Sequence, residues 1–199
     1  MLRTCFLAFL LLFPITAHAE SGVTPPVVKS PTVTFETSLG KIVIELFDDK
    51  APVTVANFRQ YVREGFYDNL IFHRVISGFV IQGGGFEPGM APRKPTHPAI
   101  VNEAANGLDN KRGTLSMART YVVNSATSQF FINLSDNKAL DHQAKAASRY
   151  GYAVFGRVIE GMEVVDEIAT KPTTTVGHYR DVPAEGVIII KAYENTVKK

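Results

Sequence analysis

The stretch Phe72-His73-Arg74-Val75-Ile76-Ser77-Gly78-Phe79-Val80-Ile81-Gln82-Gly83-Gly84 sets one arginine and one glutamine among β-branched and aromatic residues. Its two apolar runs, Phe72–Ile76 and Phe79–Gln82, have the length and composition of short strands. Alternation along an extended chain would place Phe72, Arg74 and Ile76 on one face. A second stretch, Ser125-Ala126-Thr127-Ser128-Gln129-Phe130-Phe131-Ile132-Asn133, repeats the mixture with Gln129 and Phe131. Either alone fits an arginine snorkelling from a strand, or aromatics in a core. Together they point to an apolar pocket with a few convergent hydrogen-bond donors.

Outward from these stretches the chain reads as strands. Thr32–Ser38 and Lys41–Phe47 both alternate, and Ser38-Leu39-Gly40 between them predicts a hairpin. Pro52 opens a helix carrying Val55, Phe58 and Val62, and Gly65 stops it. Residues 87–110 are loop-rich, with four prolines. Thr114–Ala118, Gln129–Leu134, Ala153–Ile159 and Val187–Tyr193 read as further strands, and Met162, Val165 and Ile168 mark a second helix. Asp136–Tyr150 is polar and irregular. About eight short strands and two helices, with no βαβ rhythm, predict a mainly-β fold: a closed antiparallel eight-stranded β-barrel capped by two α-helices.

Composition narrows the function classes. The 199 residues carry 21 Lys plus Arg against 19 Asp plus Glu, a net charge of +2. That balance gives no footprint for nucleic acid or an anionic membrane surface. No apolar run approaches the roughly 20 residues of a membrane-spanning helix. Residues 1–19 combine Arg3, an apolar run from Cys5 to Phe13 and the ending Ala17-His18-Ala19, the layout of a cleavable secretory signal peptide cut after Ala19. The mature chain would then lose Cys5, its only cysteine, which suits an oxidising compartment. Residues 20–31 form a flexible lead-in, and 32–195 a single domain.

Several familiar catalytic patterns are missing. Gly83-Gly84-Gly85 is not followed by Lys-Ser/Thr, so it is no phosphate loop; it reads as a strand end that another segment approaches closely. The five histidines have no metal-ligand spacing, and no G-x-S-x-G elbow occurs. No metal and no cofactor are expected.

At Phe72–Gly84 and Ser128–Asn133 the sequence resembles the cyclophilin family of peptidyl-prolyl cis-trans isomerases. Gly113-Thr114-Leu115-Ser116-Met117-Ala118-Arg119 matches a third signature, and Pro52–Phe58, Val154-Phe155-Gly156 and Gly161-Met162 match further along. The similarity runs from about Thr32 to Tyr193, and its wording looks like the periplasmic bacterial branch. It implies acceleration of X–Pro isomerisation in exported proteins, with proline-containing polypeptides as partners. The alternative is a proline-peptide-binding module with little turnover.

The resemblance assigns roles position by position. Arg74 would donate to the prolyl nitrogen, with Phe79 and Gln82 beside it at the catalytic centre. Phe79, Val80, Phe131 and Leu140 would line the proline pocket. Gln82 and Gln129 would bind substrate backbone and orient Arg74. Ala118 and Arg119 would meet the residue before proline, mainly through backbone groups, with His73 in support. Two positions depart from the family pattern: Ala139 stands where a Trp is common, and Tyr152 where His is frequent. Both are expected at the pocket rim, so weak binding of the cyclic peptide cyclosporin is expected. A monomer in the periplasm, free of the membrane once the signal is removed, is the corresponding expectation for the whole protein.

Overall fold

The computed structural model describes residues 30–195. The signal peptide and most of the lead-in read from the sequence lie outside the described residues. The chain opens with β1 (Thr32–Thr37) and β2 (Gly40–Leu46), joined through Ser38 and Leu39 in a hairpin whose last pair is Thr37–Gly40. Helix α1 (Pro52–Arg63) follows, with proline in its first turn. Then come β3 (Leu70–Ile71), β4 (Arg74–Ile76), β5 (Val80–Gly83) and the two-residue strands β6 (Phe86–Glu87) and β7 (Ala91–Pro92). Strands β8 (Thr114–Met117), β9 (Phe130–Asn133) and β10 (Val154–Glu160) lead to α2 (Met162–Ala169). A hairpin of β11 (Thr173–Val176) and β12 (Tyr179–Pro183) precedes the closing strand β13 (Ile188–Glu194).

Nine strands form the main sheet, in the order β3-β13-β1-β2-β10-β8-β9-β5-β4, with every pairing antiparallel. The two end strands, β3 and β4, are neighbours in the chain, separated only by Phe72 and His73. The sheet therefore curls until both its edges return to one segment. Among the described residues the architecture is mainly β with two α-helices, as the sequence implied; the sheet itself has nine strands and two ends rather than eight strands in one continuous ring.

The break at Phe72 also corrects the expected facing. Phe72 is fully buried, its ring edge-on to Phe130 at 6.3 Å, and Val75 is buried as well, whereas Arg74 and Ile76 are half-buried. Two interior residues three apart cannot both obey strand alternation. Phe72 therefore does not share a face with Arg74 and Ile76, because the extended pairing is interrupted between them.

Inside the curl, Phe35, Phe58, Tyr67, Phe130 and Phe155 form an aromatic cluster with ring centroids 5.0 to 6.0 Å apart. The Tyr67 hydroxyl donates to the Ser128 carbonyl at 2.9 Å, so burying this ring leaves no unpaired hydroxyl and anchors the turn before β9. Helix α1 has no capping side chain at Ala51. Glu103 takes that place: its carboxylate accepts the Val53 and Thr54 N–H groups at 3.2 and 2.8 Å, pinning the proline-rich loop to the helix start.

Candidate active site

Strand register brings together residues that the sequence singled out. Arg74 of β4 lies opposite Gln82 of β5, and Gln82 opposite Phe131 of β9. Opposed residues of an antiparallel pair project to the same face, about 5 Å apart at Cβ. Val75, Ile81 and Ile132, which alternate with them, are buried in the core, so the row Arg74–Gln82–Phe131 faces outward.

That row is one side of a cleft of about 150 Å³. Arg74, Phe79, Val80, Gln82, Ala118, Arg119, Phe131, Leu140 and Tyr152 line it, nine of the eleven site residues expected from the sequence. The other two, His73 and Gln129, lie on an adjoining cleft that shares Arg74 and Gln82. Ala139 is exposed and faces a wider cleft of about 620 Å³ beside the first, to which Arg119, Leu140 and Tyr152 also contribute.

Backbone hydrogen bonds hold the apolar walls. The Phe79 carbonyl accepts from the Leu134 N–H and from the Asn137 amide, both at 2.9 Å. Tyr152 donates its N–H to the Leu140 carbonyl at 2.9 Å, and its ring meets Phe131 edge-on at 5.6 Å. Next to Leu140, the Asp141 carboxylate accepts the Asn110 backbone N–H at 2.6 Å, which fixes that side of the rim.

The polar side is a relay. Arg74 Nη1 donates to Gln82 Oε1 at 3.5 Å, and Gln82 Nε2 donates to Gln129 Oε1 at 2.9 Å. Gly85 makes room for Gln129, since a Cβ there would come within 2.5 Å of its Nε2. Gly84 has φ +85° and lies under the Ser128 carbonyl. The glycine run is thus the close backbone approach its sequence suggested. The Arg119 side chain turns away from the cleft floor and donates to the Gly151, Thr120 and Ala147 carbonyls. The Ala118 N–H is engaged by the Gln129 carbonyl at 3.0 Å.

One functional neighbour was missed. The Asp181 carboxylate of β12 lies 3.6 Å from Arg74 Nε. β11, its partner, is exposed at all four positions, so no apolar alternation marks this hairpin. A signal did exist in the Asp-Val-Pro wording: an aspartate, which tolerates left-handed backbone, sits just before the proline-limited strand end.

His73 is buried, its ring packed on Phe86 at 4.5 Å, and its Nδ1 has no partner among the described residues. Burial, reinforced by the neighbouring Arg74 charge, lowers its pKa from 6.5 to about 4. The imidazole beside Arg74 is therefore neutral at pH 7 and adds no positive charge to the cleft. Chemically, the cleft can hold one small apolar ring against a planar cation that carries unused N–H donors.

Comparisons with known proteins bear on the family. Residues 32–194 match the family model described as cyclophilin type peptidyl-prolyl cis-trans isomerase/CLD. Peptidyl-prolyl cis-trans isomerase B of Escherichia coli is 59% identical over 157 residues, covering 79% of this chain and 95% of that protein. A peptidyl-prolyl cis-trans isomerase of Acinetobacter baylyi is 52% identical over 176 residues, covering 88% and 87%. Among solved structures, a cyclophilin type peptidyl-prolyl cis-trans isomerase of Cryptosporidium parvum superposes with a TM-score of 0.69 at 28% identity, covering 84% of this chain and 99% of that one. A second structure of that protein was determined in the presence of the dipeptide Ala-Pro. With the signature strands, their register and the cleft all in place across residues 32–194, the chain belongs to the cyclophilin type of peptidyl-prolyl cis-trans isomerases.

Proposed function

We propose that the protein is a peptidyl-prolyl cis-trans isomerase in which the proline ring enters the 150 Å³ cleft and Arg74 assists rotation. The observation that carries this is the row Arg74–Gln82–Phe131, which sets the Arg74 guanidinium beside an apolar pocket. Rotation about an X–Pro bond is opposed by amide resonance, with a barrier of about 18–20 kcal/mol. No covalent bond forms or breaks, so neither nucleophile nor metal is needed. As the imide twists, the nitrogen lone pair localises and becomes a hydrogen-bond acceptor. A guanidinium N–H held at that point binds the twisted state and not the planar one, which is what lowers the barrier.

An acceleration of about 10⁵-fold requires about 7 kcal/mol of such differential stabilisation. Phe79, Val80, Phe131 and Leu140 contribute by fixing the ring, so that the rest of the chain rotates against it. Gln82 and Gln129 act on the polypeptide backbone and, through their relay, on Arg74. The Ala118–Arg119 backbone meets the residue before proline in a strand-like arrangement.

The clients are proline-containing polypeptides of the envelope, reached after removal of residues 1–19, and the folded domain acts as a monomer. Isomerisation of a short X–Pro peptide by the mature chain tests the activity. The intact mass of the envelope form tests export, the expected value being that of a chain starting at Glu20. Absence of turnover with retained peptide binding would favour the binding-module alternative.

A further inference from the structure

The wide cleft beside the proline site has no role in the mechanism above. It measures about 620 Å³ and shares Arg119, Leu140 and Tyr152 with the smaller cleft, so a polypeptide held by its proline passes directly into it. Its outer wall is the segment Gln143–Arg149. Arg119 ties that wall down: its Nη2 donates to the Ala147 carbonyl at 3.2 Å and its Nε to the Gly151 carbonyl at 2.9 Å, with the guanidinium 4.8 Å over the Tyr152 ring. Ala139 contributes only a methyl group to the lining, which leaves the space open.

The charges are one-sided. Arg119 and Arg149 line the cleft, and no carboxylate among the described residues does. Neither arginine has an ion-pair partner among the described residues; Arg149 donates only to the Gln143 amide oxygen, at 3.3 Å. Lys138 and Lys145 are exposed in the same stretch of chain. Asp141 and Asp136, close by in the chain, do not line the cleft; their carboxylates are turned to Asn110 and to the Arg112 backbone N–H at 3.0 Å. Cations with spare N–H donors and no counter-charge favour an anionic occupant.

We propose that this cleft is a second polypeptide subsite, selecting clients that carry aspartate or glutamate within two residues of the isomerised proline. It rests on the reading of the smaller cleft as the proline site. Two extended residues span about 7 Å, enough to carry a side chain from one cleft into the next. Contacts to solvent-exposed cations are modest and screened by salt, so the preference is small at any one position and salt-dependent.

The test compares kcat/KM for proline peptides carrying Glu, Gln or Lys at each of the two positions on either side of proline. Isomerisation is read by NMR exchange, which needs no auxiliary protease. At one or more positions Glu should exceed Lys by about five-fold at low salt, with the difference shrinking to less than about two-fold in about 1 M NaCl. Arg149→Glu should reverse the order, favouring Lys. Equal rates for the three peptides at every position, or a preference unchanged in Arg149→Glu, would overturn the subsite. Failure of the wild-type protein to isomerise the neutral Gln peptides would instead overturn the proline-site reading beneath it.

Discussion

The Asp181 carboxylate lies 3.6 Å from the Nε of Arg74, and it does so from a residue whose own φ is +60°. Left-handed backbone is costly for most side chains but tolerated by aspartate and asparagine. Gln82 accepts one Nη1 N–H at 3.5 Å, Asp181 adds an ion pair at Nε beyond hydrogen-bond distance, and the other N–H groups are free to meet a substrate. The arginine is thus gripped from behind rather than left to swing on its long stem.

Removing the donor gives the first prediction. Arg74→Ala should lower kcat/KM by at least about 10²-fold with an unchanged circular dichroism spectrum, because the interaction is strongest in the twisted state. Arg74→Lys should recover little, since a flexible ammonium cannot copy a planar fork. Near-normal turnover in the alanine variant would sink the mechanism.

Releasing the grip should act on turnover more than on stability. Asp181→Asn keeps a side chain that accepts positive φ but removes the charge. Both partners are 40% exposed, so the ion pair itself adds little to folding. Fixing the Arg74 side chain from scratch costs up to about 2 kcal/mol of rotamer entropy, and a part of that implies a fall in kcat of about five-fold with KM little changed. Steady-state kinetics and a melting curve on the same variant separate the two effects; a large loss of Tm with kcat intact would contradict the assignment.

His73 carries a pH dependence. Its folded pKa of about 4 lies below the ordinary 6.5, so the unfolded chain binds the extra proton between those values. The contribution to stability is complete above about pH 6.5 and is lost as pH falls toward 4. A shift from 6.5 to about 4, at about 1.4 kcal/mol per pH unit, amounts to about 3 kcal/mol. Denaturant titrations from pH 7 to 4 should show that loss, and His73→Phe should flatten it while removing the unpaired Nδ1. Identical pH profiles for the two proteins would mean that His73 does not titrate as the burial requires.

The exposed Ala139 bears on ligand affinity. The resemblance to the family gives this position an indole in members sensitive to cyclosporin, and an indole adds both apolar area and an N–H donor. Its loss costs roughly 2 kcal/mol, about 30-fold in affinity. Cyclosporin should therefore inhibit the protein weakly, and Ala139→Trp should tighten inhibition with little change in turnover on a short peptide. Titration of both proteins in one assay decides it; tight inhibition of the unmodified chain would show that another residue controls this ligand.

Much of the site was legible because it is local. Arg74 and Gln82 sit in one signature stretch that folds back on itself as β4 and β5, so their opposition follows from a short hairpin. Gln129 and Phe131 lie in a second stretch that pairs directly with β5. The β1–β2 hairpin and α1 were equally readable, since alternation, a two-residue turn and a first-turn proline act within a few residues of chain.

Tertiary structure decided the rest. Phe72 turns inward because the core needs its ring against Phe130, and that packing overrides strand alternation. Glu103 caps α1 from a distant loop, and Asp181 reaches Arg74 from a hairpin with no hydrophobic signature. The return of both sheet edges to Leu70–Ile76 depends on twist and curl accumulated over nine strands. Periodicity and turn chemistry are properties of neighbours along the chain and can be read from it. The partner of a buried face or a fixed charge is chosen by which distant segments the curled sheet brings within a few ångströms, and only the folded chain makes that choice.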